Sequence, residues 1–141
     1  MRLTTNISVN GCIQVPKELK AFIQDSFVIT NGLDQGFLCI YPAEYFQTEV
    51  KTQLRKLNQL DPKARKISRS ILGAAVEGKL NTNGEIGVPA ELLGQLKLDG
   101  ELVLYMFFDG IKIEVCSKKL YDKLDSGPLP DISDTSYITG L

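Results

Sequence analysis

Apolar and polar residues follow two periodicities along the chain, and each predicts a different kind of element. Residues 111–115 alternate an isoleucine or valine with a charged side chain, the period of two expected for a strand with one buried and one wet face. Asp109-Gly110, directly before this segment, is predicted to form the turn that leads into it. Apolar residues in the middle of the chain instead recur every three or four positions, which predicts helices.

Two helices are predicted in this middle region. The first extends from Pro42 to Leu60, and the second begins at Pro62, with Asp61 as its N-cap and the proline in its first turn. The predicted core-facing stripes are Phe46, Val50, Leu54 and Leu57 in the first helix and Ala64, Ile67, Ile71 and Ala74 in the second.

The chain contains one short phrase twice. NGCIQVP begins at Asn10 and NGEIGVP begins at Asn83, with a constant offset of 73 residues between equivalent positions. A helix and two further strands are predicted after each phrase, so the repeat is a duplicated β-α-β-β unit. A unit of this size buries too little apolar surface to be stable alone. We therefore expect the two units to pack on each other around a pseudo-twofold axis.

Each phrase is predicted to begin with a hairpin. Asn-Gly is the strongest signal for a two-residue type I′ turn, because both central positions of that turn need positive φ. Gly11 and Gly84 are therefore predicted to be structural turn residues. In the first copy, residues 3–8 and 12–15 are the predicted pair of antiparallel strands.

A proline marks the end of each predicted hairpin. Pro16 and Pro89 favour extended geometry in the residue before them and fit the first turn of a helix, where no amide donor is needed. The predicted helices are PKELKAFIQ and PAELLGQLKL.

Composition and motifs argue against several classes of protein. The 141 residues are 43% hydrophobic and carry a net charge of −1, which suits one compact domain or two very small ones. The chain has no histidine, P-loop, nucleophile elbow or dinucleotide fingerprint, so we expect no enzyme, cofactor or metal site. The longest apolar run, Leu102–Phe108, is too short to cross a bilayer, and the first ten residues hold no signal-peptide run. We expect a soluble intracellular protein.

The three cysteines are Cys12, Cys39 and Cys116, and they form no Cys-x-x-Cys pair. We expect reduced and mostly buried thiols.

Charge is distributed unevenly. The segment Lys51–Arg69 holds seven basic residues and one acid, a net +6, whereas the rest of the chain nets −7. Such a segment is either an anion-binding face or the solvated outer surface of core-packed helices, and the sequence leaves both readings open. No aromatic residue is interleaved on this basic surface, so stacking on single-stranded nucleic acid is not indicated.

The strand–Asn-Gly–strand–Pro–helix phrase resembles the swapped-hairpin unit of the SpoVT/AbrB proteins. Two such units joined by helices resemble the MraZ family of bacterial transcriptional regulators, as do the linker DPKARKISRSILGAAVEGKL and the ending VLYMFFDGIKIEVCSKKLY. The resemblance implies an α+β fold in which two tandem swapped-hairpin units form a pseudo-twofold, β-barrel-like core joined by two helices. The implied boundaries are units at residues 2–47 and 75–120, a helical linker at 48–74 and a flexible acidic tail at 125–141.

The chain departs from the family phrase, Asp-x-Lys/Asn-Gly-Arg, whose arginine is the residue carried toward DNA. Ser8 and Asn81 stand at the two aspartate positions, and Cys12 and Glu85 stand at the two arginine positions. Serine and asparagine can still close a side-chain–backbone turn. Cys12 offers no contact to a phosphate, and a carboxylate at Glu85 about 5 Å from one costs on the order of 1 kcal/mol.

The resemblance implies a DNA-binding regulator of cell-division and cell-wall genes. It would act on duplex DNA as a homo-oligomer, in the family a ring, and would be cytoplasmic and nucleoid-associated. The alternative is a protein-interaction or assembly module that kept the fold and lost DNA binding. The candidate DNA-binding residues are Asn10, Cys12, Lys17, Lys79, Asn83, Glu85, Arg65 and Arg69.

Overall fold

The chain folds as an α+β protein built mainly on antiparallel sheet. A computed structural model describes residues 1–23 and 26–124. The strands are β1 Arg2–Asn6, β2 Cys12–Gln14, β3 Phe27–Asn31, β4 Leu38–Pro42, β5 Val76–Gly78, β6 Glu85–Gly87, β7 Val103–Phe108 and β8 Ile113–Ser117. The helices are α1 Lys17–Lys20, α2 Ala43–Tyr45, α3 Lys51–Arg55, α4 Pro62–Ala74, α5 Ala90–Leu96 and α6 Lys118–Leu124. A π-helical turn, Phe46–Val50, joins α2 to α3. The predicted tail at 125–141 lies outside the described residues.

The larger sheet has pseudo-twofold symmetry in its strand order. Its order is β1-β7-β8-β4-β3-β5 with antiparallel pairs throughout. The counterparts in the two halves are β1 and β5, β3 and β7, and β4 and β8. When each strand is exchanged for its counterpart, the same order results, read from the other edge of the sheet. The first strand of each half thus pairs with the other half: β1 with β7, and β5 with β3.

The second sheet lies on the same pseudo-twofold axis. It consists of β2 and β6, in which Ile13 faces Ile86, Cys12 faces Gly87 and Gln14 faces Glu85. Ile13 and Ile86 are equivalent positions of the repeat, so the axis passes through this pair. The predicted pairing of residues 3–8 with 12–15 occurs only next to the turn, at an isolated bridge between Ile7 and Ile13 and a hydrogen bond from Ser8 N to Cys12 O. The second strands of the two phrases pair with each other instead.

The core explains why the phrase occurs twice. Both central isoleucines are fully buried, and complete burial of an isoleucine side chain is worth about 1.5–3 kcal/mol. The main apolar cluster draws on both halves of the chain; it includes Ile7, Ile13, Leu19, Leu38, Ile40, Ile86, Leu92, Leu104, Ile113 and Val115. Each half therefore completes the apolar core of the other.

The helix predicted from Pro42 to Leu60 ends early, at Arg55. Its stripe does face the protein: Phe46 and Leu54 are buried in a second apolar cluster, with Val50 and Leu57 packed against it. Just beyond this end Asn58 bonds locally, because its side-chain oxygen accepts from the Leu60 amide at 3.1 Å. Such local bonding by asparagine competes with helix continuation.

The start of α4 matches its prediction. Asp61 is the N-cap, accepting from the Lys63 amide at 2.9 Å, and Pro62 occupies the first helical position. Ala64 and Ile71 are buried as predicted, but Ile67 is 39% exposed. Ile67 lines an open groove beside α3, so none of the described elements covers it.

The strand predicted at residues 111–115 begins two residues later, as β8 Ile113–Ser117. Asp109 accepts hydrogen bonds from the amides of Ile111 and Lys112, at 2.8 and 2.9 Å. These bonds extend the predicted turn, and β8 begins only at Ile113. Ile113 and Val115 are buried as predicted, whereas Ile111 is 48% exposed.

The prolines stand one position earlier than predicted. Pro16 and Pro89 are the N-caps of α1 and α5, not residues of the first turn. The first predicted helix is also short, because α1 spans only Lys17–Lys20; its predicted end at Gln24 lies outside the described residues.

The cysteines are mostly buried, as predicted. Cys39 and Cys116 are buried, Cys12 is half-buried, and all three are free thiols. Burial, reinforced by the charge of Glu114, raises the pKa of Cys39 to about 11 and that of Cys116 to about 12. Within the described ranges, no helix combines the length and apolarity needed to span a membrane.

Candidate nucleic-acid interface

The first Asn-Gly phrase forms a tight turn, but not the predicted type I′ turn. Gly11 N donates to Ser8 O at 3.0 Å, so the central residues of the turn are Val9 and Asn10. Neither has positive φ, whereas Gly11 has φ +79°. Ser8 N donates to Cys12 O at 2.9 Å and closes the hairpin. This pattern is the three-residue hairpin loop in which a type I turn is followed by a left-handed glycine.

The second phrase repeats this geometry. Gly84 N donates to Asn81 O at 3.0 Å, and Asn81 N donates to Glu85 O at 2.9 Å. Gly84 has φ +73°, and Thr82 and Asn83 have no positive φ. The two turns, Ser8–Cys12 and Asn81–Glu85, are called the first and second tips below.

Side chains brace both tips, as the sequence predicted. Ser8 Oγ accepts from the Cys12 amide at 3.2 Å. Asn81 Oδ1 accepts from the amides of Asn83 and Glu85, both at 2.9 Å. Asn81 Nδ2 also donates to Glu85 Oε1 at 3.1 Å, which ties the carboxylate of Glu85 to its own turn.

The two tips lie at opposite ends of the β2–β6 ribbon, because Cys12 faces Gly87 while Glu85 faces Gln14. Most candidate side chains of the tip regions are accessible. Asn10, Lys17, Lys79 and Asn83 are exposed, and Cys12, Glu85, Pro16, Pro89 and Gly84 are half-buried. Gly11, in contrast, is buried.

Each tip rests on the first helix of the other half. A Cβ built on Gly11 would lie 2.9 Å from Leu93 Cδ1, and Val88 N donates to Gly11 O at 2.9 Å. A Cβ built on Gly84 would lie 3.2 Å from Lys20 Nζ. Lys20 and Leu93 are equivalent positions of the repeat, so the sequence offset combined with crossed pairing could have identified Lys20. The prediction treated each phrase as a separate hairpin and therefore did not include Lys20 among the candidate residues.

The basic segment Lys51–Arg69 belongs to other elements. Arg65 and Arg69 are exposed on α4, and Arg65 Nη1 donates to Gln59 O at 2.8 Å. Among the described residues, none of the seven cations in this segment forms a salt bridge. No hydrogen bond within the described chain joins Arg65 or Arg69 to either tip.

The two tips offer backbone turns, amide groups and exposed lysines to a ligand. In the described part of the chain no group of three or more Cys, Asp or Glu residues could hold a metal ion.

Comparison with known proteins identifies the family. No protein-family model matches the chain. The chain is 32% identical to the transcriptional regulator MraZ of Lachnoclostridium phytofermentans over 137 residues, covering 96% of this chain and 92% of that protein. It is 28% identical to MraZ of Hydrogenovibrio crunogenus over 92% of this chain and 90% of that protein. It is 32% identical to MraZ of Lactiplantibacillus plantarum over 76% and 74% of the two chains. These relatives are named as regulators and not as enzymes, in agreement with the interpretation of the sequence. The chain belongs to the MraZ family of transcriptional regulators.

Proposed function

We propose that this protein is a DNA-binding transcriptional regulator that binds duplex DNA as a homo-oligomer. The observation that carries the proposal is the 32% identity to an MraZ regulator over 96% of the chain. By the same family relation, the proposed targets are cell-division and cell-wall genes, and the proposed location is the nucleoid in the cytoplasm.

The fold proposed for this function is the swapped-hairpin core. Crossed pairing of β1 with β7 and of β5 with β3 supports an exchange of first strands between units at residues 2–47 and 75–120. The linker of the proposed division is residues 48–74. The proposed assembly is a ring, in which each protomer presents its tips to successive positions on DNA.

The proposed DNA contacts are made by the tips and the basic segment. Asn10 and Asn83 are exposed at the turns and can donate to phosphate oxygens, and Lys17 and Lys79 are exposed as well. Most protein–DNA hydrogen bonds go to phosphate and sugar. Because the motif arginines are missing, the phosphate contacts must come from other residues. The number of these contacts determines how steeply the affinity falls with salt.

The test is a salt series of gel shifts on duplex DNA from upstream of the protein's own gene. We expect a retarded complex at low salt. Unlabelled duplex of the same sequence should displace the labelled DNA more effectively than unrelated duplex does. Restoring the family residue at both tips, in Cys12→Arg/Glu85→Arg, should steepen the salt slope by roughly 0.9 per added phosphate contact in each engaged protomer.

Two control variants separate the contributions. Cys12→Ser/Glu85→Gln removes the repulsive charge without adding a contact, so its slope should remain near that of the parent. Arg65→Ala/Arg69→Ala should weaken binding only if α4 faces DNA.

One outcome rejects the proposal. If the double-arginine variant folds and assembles like the parent, yet neither shifts duplex DNA at low salt, the tips are not a DNA surface. The protein would then be an assembly module of the same fold.

A further inference from the structure

The two tips differ in the residue that the other half of the chain delivers to them. At the second tip that residue is Lys20, whose ammonium lies beside the left-handed Gly84. At the first tip the equivalent residue is Leu93, an apolar side chain that packs against the core. The pseudo-twofold axis thus relates a charged side chain, Lys20, to an apolar side chain, Leu93.

The difference extends to neighbouring positions. Lys17 lies three residues before Lys20 on α1, on the same helix face, and Lys79 lies two residues before the second tip in sequence. Their equivalents at the first tip are Ala90 and Asn6. Summed over these positions, the three lysines and Glu85 carry a net +2, whereas the four equivalent residues of the other copy, Leu93, Ala90, Asn6 and Cys12, are uncharged. Glu18 and Glu91 occupy equivalent positions and do not alter this difference.

The ammonium of Lys20 is available to a ligand. The side chain is exposed, and it forms no salt bridge with any described residue. Glu85, the nearest acid in sequence to Gly84, is instead held by Asn81 Nδ2. The negative charge at the motif position therefore does not neutralise Lys20 by direct contact.

We propose that the second tip is a phosphate-binding site built jointly by both halves of the chain, and that the first tip makes no ionic contact. In this site Lys20 of the first half supplies the charge that Glu85 cannot, and the ligand is a backbone phosphate of duplex DNA. The inference rests on the proposed function. It predicts that each protomer binds DNA asymmetrically, because the second tip makes an ionic contact with a phosphate and the first tip does not.

The chemistry favours a phosphate over a base edge. A lysine ammonium is a compact point charge, without the planar fork that lets arginine read guanine through two parallel hydrogen bonds. Replacing the motif arginine by a lysine from the other half therefore keeps the electrostatic contact and gives up sequence readout at that position.

The experiment compares Lys20→Gln, Lys20→Arg and Lys119→Gln in the full chain. Lys119 is an exposed lysine on α6 whose nearest partner is Asp99, at 3.8 Å, so its loss changes the net charge equally without altering a tip. Fluorescence anisotropy with labelled duplex from upstream of the gene is followed across a salt series, and circular dichroism checks that each variant keeps the parental fold.

We expect Lys20→Gln to lower the salt slope by roughly 0.9 per engaged protomer, which corresponds to about eightfold weaker binding per contact at 0.1 M salt. Lys20→Arg should retain the parental slope, and Lys119→Gln should match the parent. If the parent binds DNA and Lys20→Gln has the parental slope, this inference is overturned and the proposed function stands. If the parent shows no salt-dependent binding to duplex DNA, both are overturned.

Discussion

Substitution of the two tip glycines by alanine should have unequal costs, although the phrases look alike in sequence. Gly11 and Gly84 have φ of +79° and +73°, a region that costs an L-residue roughly 1–2 kcal/mol. That strain applies to both positions. The difference arises from what each new Cβ would touch.

At Gly11 the new methyl group would lie 2.9 Å from Leu93 Cδ1, in a buried position. Leu93 is itself packed against the core, so relieving the overlap shifts neighbouring side chains, and overpacking of this kind costs about 1–3 kcal/mol. At Gly84 the nearest atom is Lys20 Nζ, at 3.2 Å, and the end of a flexible exposed lysine can move aside. We expect a loss of about 2–5 kcal/mol for Gly11→Ala and about 1–2 kcal/mol for Gly84→Ala.

Urea unfolding followed by circular dichroism measures both values, provided that the m-value is unchanged. Gly87→Ala is the matched control in the same ribbon, because its Cβ would meet nothing within 4 Å and its φ is not positive. That variant should be neutral or slightly stabilising. Equal losses at Gly11 and Gly84, or a larger loss at Gly84, would refute the crossed contact between Gly11 and Leu93.

Two further predictions concern the linker and the thiols. Asp61→Ala should destabilise the protein by about 1 kcal/mol in the same urea assay, because the N-cap bond of α4 is lost; an unchanged midpoint would contradict the capping role. In native protein near pH 8, a thiol reagent should modify Cys12 rapidly and Cys39 and Cys116 only on unfolding, because burial raises their pKa to about 11 and about 12 and keeps them as neutral thiols. Rapid modification of two or three thiols in the folded protein would contradict this.

The sequence predicted the tips better than the pairing of their strands. A constant offset located both turns, and the need for a left-handed glycine is local chemistry. Asn-Gly, however, serves two hairpin loops: the type I′ turn, and the type I turn followed by a left-handed glycine. The choice between them depends on the neighbouring strands, and pairing of Ile13 with Ile86 across 73 residues leaves no trace in the local pattern.

The errors in the helices have similar causes. Periodicity identified the faces of Phe46, Leu54 and Ile71, because burial of an apolar stripe follows directly from helical spacing. It misplaced the helix end, beyond which the Asn58 side chain accepts from the Leu60 amide in a local turn. It also assigned Ile67 to the core, although burial of a helix face requires a second element to cover it, and here a groove remains open.

Within each phrase, the residues that determine the fold and the positions at which the charge can vary lie in different environments. Ile13 and Ile86 are fully buried at the axis, and both tip glycines need positive φ, so changing any of them destabilises the whole core. Cys12 and Glu85 follow the turns at half-buried positions outside the buried core. The charge at these two positions can therefore change without loss of the fold. Crossed packing then allows a residue of one half, Lys20, to restore charge at the tip of the other. In a duplicated fold, the function of a tip must therefore be read from both copies of the sequence together.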